Sequence, residues 1–271
     1  MLVTLSVIIT ILTAIATVLF YAGIVGQYSG KLQKCAVYCL GASFILLSFL
    51  LAITFVREMD IYVLRSWYLL PLCWSLLFVS FIIYFAHKQN VIFVFVAPLS
   101  FILFISALIF LHQEKPMENL VTGPLLLVHL FLIFSGIALM GIAAGAGCLF
   151  IWQDKLLKNK TKLKSMPKNI PSLAALDKVN DIATNIGFPL YTVGLCSGFI
   201  WAYMAWGKLF SFDYKEIISL IILALYGYLF YQRKVHSING RKPAYIALCV
   251  FAISLFSIFI VNTFLPTHHS F

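Results

Sequence analysis

Polar residues in this chain are gathered into short stretches, and the segments between them are almost continuously apolar, without the one-sided stripe of a soluble helix. The hydrocarbon core of a bilayer is spanned by about 20 apolar residues in helical form. Measured that way, the sequence predicts eight spans, at 2–26, 35–56, 66–86, 91–111, 124–152, 184–206, 217–232 and 244–265. No basic residue precedes the first of them, the first Lys being Lys31, so it reads as a span and not as a cleaved leader. One polar stretch has periodicity of its own. After Pro171, Ser172 is a good N-cap, and Leu173, Leu176, Val179, Ile182 and Ile186 recur at helical spacing with Asp177, Lys178 and Asp181 between them. A short amphipathic helix lying in the membrane interface before span six is expected there. The predicted fold class is all-α: a polytopic helix bundle forming a single integral membrane domain over 1–271, with four spans within 1–112 and four within 124–271.

Composition adds an exclusion. Hydrophobic residues make up 62% of the chain and charged ones 10%, against about a quarter charged in a soluble domain. Six Cys, all in or beside apolar runs, do not write a secreted disulfide scaffold. The net charge of +10 would suggest nucleic acid in a soluble protein, but here it reports topology. Fourteen Lys and Arg fall in one set of loops (Lys31, Lys34, Lys88, Lys155 to Lys178, Arg233 to Lys242) and five in the other, at Arg57, Arg65, Lys115, Lys208 and Lys215. Cytoplasmic loops hold the excess, so both termini are expected outside the cytoplasm, in a multi-pass protein of the inner (cytoplasmic) membrane. The partner this composition demands is the lipid bilayer, and nucleic acid is not expected.

The eight predicted spans contain no Asp, Glu, Lys or Arg, which argues against a transporter with a charged relay at the midplane. No phosphate loop, nucleophile elbow, catalytic carboxylate pair or C-x-x-C is written, and no catalytic residue is expected. Cys35 and Cys39 share a helix face and read as packing residues. Gly141 with Gly145 and Gly194 with Gly198 form G-x-x-x-G pairs, which let helices approach closely in lipid. Among six His, His87, His112 and His236 lie at span ends or in loops, while His129 stands out. Pro124 suits the first turn of span five, which places His129 about 7–8 Å into that helix, where an imidazole needs a partner. His268 and His269 follow span eight on the same side. On that side too, Trp206, Phe210, Phe212 and Tyr214 cluster in one short loop beside Asp213, Lys215 and Glu216. An apolar plate rimmed by charge suits a large planar ligand bearing carboxylates.

Three blocks of residues carry a family resemblance. They are Pro171-Ser172-Leu173 with Leu176-Asp177 and Gly187-Phe188-Pro189-Leu190, continuing to Gly198 and Trp201; Trp206-Gly207 with Ser211, Asp213, Lys215 and Glu216; and Val261-Asn262 with His269-Ser270-Phe271. From His129 onward the chain resembles the haem-handling proteins of cytochrome c assembly, the CcsA/CcmC type, and especially their short HemX/YpjD-like branch. The resemblance implies b-type, non-covalently bound haem at the outer face. It implies His129 and His269 as axial iron ligands, His269 because it precedes Ser270, with Trp206, Phe210, Phe212 and Asp213 in the loop that packs against the macrocycle. Asp213 or Asn262 would orient a ring nitrogen, and Lys208, Lys215, Arg57 or Arg65 would meet propionates. Phe210 and Phe212 stand where the family loop usually has Trp, and Tyr214 where it has Pro. The second, intramembrane His pair of the full-length type is not found, which points to the short branch.

Three readings therefore stand. The first is a non-catalytic haem-binding membrane protein working with a cytochrome c assembly partner. The second is a regulator that holds a soluble tetrapyrrole-biosynthesis enzyme through its basic loops. The third is a permease for a small solute or ion on the same scaffold.

Overall fold

The computed structural model describes residues 2–25, 29–57, 69–87, 90–110, 124–158, 171–210 and 212–261. Every regular element among them is helical. Seven described helices are long and apolar enough to cross a membrane, and the apolar helix Phe93–Ile109 is shorter. These residues fall into two compact units, Met1–Met117 with Gln153–Ala175 and Glu118–Trp152 with Leu176–Phe271.

The first unit contains α1 (Leu2–Val25), α2 (Ser29–Arg57), α3 (Leu69–His87), a 3-10 turn at Asn90–Ile92 and α4 (Phe93–Phe110). Helix α1 packs on α2 and α4, and α3 packs on the same two. Large side chains fill the contacts. Trp74 stacks between Phe44 and Phe78, with ring centroids 5.6 and 5.0 Å away, and Phe93 meets Phe20, Phe81 and Tyr84. Backbone groups in lipid must be satisfied within the protein, and so must hydroxyls. The hydroxyls of Thr10, Thr17, Ser43, Ser48 and Ser80 each donate to the carbonyl four residues earlier in their own helix. Trp74 Nε1 donates to Ser48 Oγ at 2.8 Å and links α3 to α2.

The second unit is built on α5 (Pro124–Lys158), α6 (Leu173–Trp206), α7 (Tyr214–Lys234) and α8 (Arg241–Phe256), the last running into a π-helical turn at Ser257–Val261. Helix α5 begins at the expected Pro124. Small residues set its contacts. A Cβ on Gly194 would stand 2.8 Å from the backbone N of Ile133, and one on Gly136 2.8 Å from Tyr191 Cβ, so α5 and α6 touch nearly backbone to backbone. A Cβ on Gly147 would stand 3.0 Å from the Ala244 backbone of α8. The expected Gly194–Gly198 pair thus faces α5, while α5 contributes close approaches of its own at Gly136 and Gly147. Between α6 and α7 two buried tyrosines cross reciprocally: Tyr191 donates to the Ser219 carbonyl at 3.3 Å and Tyr226 to the Ala183 carbonyl at 3.4 Å.

Two expectations need correction. No separate interfacial helix precedes span six among the described residues: residues 173–186 are the first turns of α6, which runs unbroken to Trp206. Ser172 does cap it, accepting from Ala175 N–H at 3.2 Å. The helical periodicity is borne out, with Leu176 and Val179 buried, Leu173 and Ile182 half-buried and Ile186 exposed. Arg233, counted above as a loop residue, is the penultimate residue of α7, and its side chain is 1% exposed.

Candidate functional site

The sixth residue of α5 is His129, and its imidazole lies against Gly198 of α6, where a Cβ would run into the ring. Its Nδ1 is 2.7 Å from the carbonyl oxygen of Gly194, one turn away on the same helix. A carbonyl can only accept, so Nδ1 carries the proton and donates it. In a neutral ring the lone pair is then on Nε2, the arrangement in which a histidine binds a metal. The Gly194 carbonyl also accepts from Ser197 Oγ at 2.7 Å. Two glycines one turn apart thus give the ring both its seat and its acceptor.

Eight residues beyond Gly198, about 12 Å along the axis, α6 ends at Trp206. Gly207, at φ 71°, turns the chain out of the helix while its N–H still bonds to the Tyr203 carbonyl at 2.9 Å. The connection that follows carries the aromatic group. Phe210 packs edge-to-face on Phe212 with centroids 4.7 Å apart, and its other neighbour is Phe199 of α6 at 6.1 Å. Phe212 is 80% exposed and sits at φ 57°, a conformation costing a bulky residue of the order of 1–3 kcal/mol. Asp213 then starts α7 as its N-cap. Asp213 and Glu216 form a capping box: the Asp213 side chain accepts from the backbone of Glu216, and Glu216 accepts from the Asp213 N–H at 3.4 Å. Both are buried. The D-x-x-E spacing before an apolar run is a capping signature, which was legible but was taken for loop charge.

Of the predicted site residues, His129, Phe210, Phe212 and Asp213 are thus placed. The Trp206 side chain, His268, His269, Asn262, Ser211, Arg65 and Lys115 lie outside the described residues, as does the Arg57 side chain.

Sequence reasoning missed a polar knot at the other end of the same helices. Arg233 Nη2 donates to Asp177 Oδ1 at 2.9 Å and to Asn180 Oδ1 at 2.7 Å, and Nη1 donates to Asn239 Oδ1 at 3.1 Å. Asp177 also accepts from Gly240 N–H at 3.0 Å, and Asn180 Nδ2 donates to the Ala143 carbonyl at 2.7 Å. One guanidinium therefore ties α5, α6, α7 and the α7–α8 turn together. The signal available beforehand was Asp177 and Asn180 on the buried face of a helical period.

Among the described residues no group of three His, Cys, Asp or Glu could hold a metal ion. The architecture is that of a multi-pass helical membrane protein with one His seated between glycines and an aromatic connection at the same end of α6. The family described as cytochrome c assembly protein matches residues 62–269. The chain belongs to that family. It is similar to the cytochrome c biogenesis protein CcsA of Guillardia theta (27% identical over 205 residues, covering 68% of this chain and 67% of that protein). It is also similar to protein HemX of Bacillus subtilis (26% over 157 residues, 58% of this chain and 56% of that protein) and to CcsA of Chlamydomonas reinhardtii (28% over 162 residues, 59% and 44%). The chain thus spans between about half and two thirds of the length of these relatives.

Proposed function

We propose that this protein binds haem non-covalently at the extracytoplasmic face of the inner membrane, and that it serves cytochrome c assembly as a haem-handling component without catalytic residues of its own. Both termini face outward in this reading, and the basic connections face the cytoplasm. His129 and His269 would hold the iron. The observation that carries the proposal is the 2.7 Å approach of His129 Nδ1 to the Gly194 carbonyl at the end of α6 that bears the aromatic connection, because a ring that donates from Nδ1 would offer Nε2 to iron. That donor chemistry fits haem. The aromatic group of Phe199, Phe210 and Phe212 supplies an apolar plate at the same end of α6, with Phe212 held outward in a strained conformation. Asp213 shapes the plate by capping α7. Bound haem would supply a one-electron redox centre with two carboxylates. This chain's part is to hold the iron by imidazole and to keep one face of the ring out of water.

The experiment is an absorption spectrum of the detergent-purified protein, oxidised and reduced. A Soret band is expected, lost or strongly weakened in His129→Ala and in His269→Ala. A protein that is colourless and also fails to take up added haemin overturns the proposal.

A further inference from the structure

We infer that Gly194, Ser197 and Gly198 form a positioning device that fixes the tautomer of His129 and tunes the donor strength of its Nε2. Its relevance to iron rests on the haem reading above, but its geometry does not. Three observations on one helical turn of α6 carry it. The imidazole lies against the place a Cβ on Gly198 would take, so that glycine admits the ring. The Gly194 carbonyl accepts from Nδ1 at 2.7 Å, a short N–H···O bond that holds the proton on that nitrogen. Ser197 Oγ lies 2.7 Å from the same oxygen and donates to it.

The third observation turns a structural bond into a regulator. A hydrogen bond from Nδ1–H pushes electron density through the ring toward Nε2, and the push grows with the basicity of the acceptor. A carbonyl that also accepts from a serine hydroxyl is a weaker base, so Ser197 moderates the push. Ser197 is buried, and the close approach of α5 and α6 at Gly194 is made to Ile133 and Leu132. Removing the hydroxyl should therefore alter the electronics of His129 and leave the fold in place. An electron-rich imidazole favours ferric over ferrous iron, so the substitution should lower the reduction potential of bound haem.

The test has two arms. In the first, haem-free protein carrying ¹⁵N-labelled His is examined by NMR. A Nδ1-protonated signal that disappears in His129→Ala is expected in the wild type. The same signal is expected to persist in Ser197→Ala and to change in Gly198→Ala. Since Gly198→Ala could disturb folding for other reasons, its thermal stability is compared with that of Gly198→Ala/His129→Ala. Removing the ring should restore much of what the methyl group costs. An Nε2-protonated His129 in the wild type, or no restoration in the double variant, overturns the inference. In the second arm, haem-loaded wild type and Ser197→Ala are titrated redox-wise, with a shift to lower potential expected in the variant. An unchanged or raised potential refutes the tuning role. The two readings separate cleanly. A correct tautomer in protein that takes up no haemin sinks the haem proposal alone, and haem bound to protein with an Nε2-protonated His129 sinks this inference and the Nε2 ligand assignment while leaving haem binding itself.

Discussion

The two units solve the same problem, holding apolar helices together where apolar burial gives no advantage over lipid, and both use ring contacts and hydroxyls bonded back within a helix, but they differ in emphasis. The first relies on bulk: stacked rings at Phe44, Trp74 and Phe78, and hydroxyls that turn back onto their own helix. The second relies on closeness and polarity: glycines that bring backbones together, and side chains such as Arg233, Asn180, Tyr191 and Tyr226 that bond across to a neighbour. Ring packing tolerates substitution by anything of similar volume. A carbonyl 2.7 Å from an imidazole does not tolerate a shift of even 1 Å. The difference teaches that the second unit is built for fixed geometry, and it is also the unit that holds His129.

Four substitutions can break or sharpen that contrast. The largest effect is expected for Arg233→Ala. It takes the cation from the partly exposed Asp177 carboxylate and the donor from the buried Asn180 Oδ1, and should destabilise the second unit by about 3 kcal/mol, read as lost folded yield and a lowered Tm in detergent. Arg233→Met combined with Asp177→Leu should recover most of that loss, because an apolar pair leaves no charge uncompensated. Next comes Gly136→Ala, whose methyl would meet Tyr191 Cβ at 2.8 Å. A cost of about 1–3 kcal/mol by denaturant titration is expected. Trp74→Phe keeps the stack and removes the bond to Ser48, for about 1 kcal/mol. The smallest effect belongs to Gly41→Ala in the first unit. There the nearest atom, on Phe81, lies 3.8 Å away, and stability should stay within about 0.5 kcal/mol of wild type. If Gly41→Ala costs as much as Gly136→Ala, the contrast between the units is false.

Long apolar runs made the helices legible, because the length that spans hydrocarbon is a property of the run alone. Pro124 and Ser172 were legible as helix starts for local reasons, a missing N–H and a capping hydroxyl. Gly194 and Gly198 were legible as a close contact, but not as the seat of His129, because a backbone carbonyl leaves no mark in a sequence. Arg233 was misassigned because a basic residue next to Lys234 at the end of a span looks like a topology signal whether it faces water or Asp177. The turns 173–186 of α6 were misassigned for a related reason. A helix with one polar and one apolar face has the same spacing whether lipid or protein covers the apolar side.

Helix α6 also acts as a ruler. Gly198 and Asp177 are 21 residues apart on it, about 32 Å of axial rise, which is close to the thickness of the bilayer's hydrocarbon slab. The imidazole fixture and the guanidinium fixture therefore stand about one hydrocarbon thickness apart along a single helix. Shortening or lengthening α6 by a few residues between them would break that match, so the span length is tied to the chemistry at both fixtures.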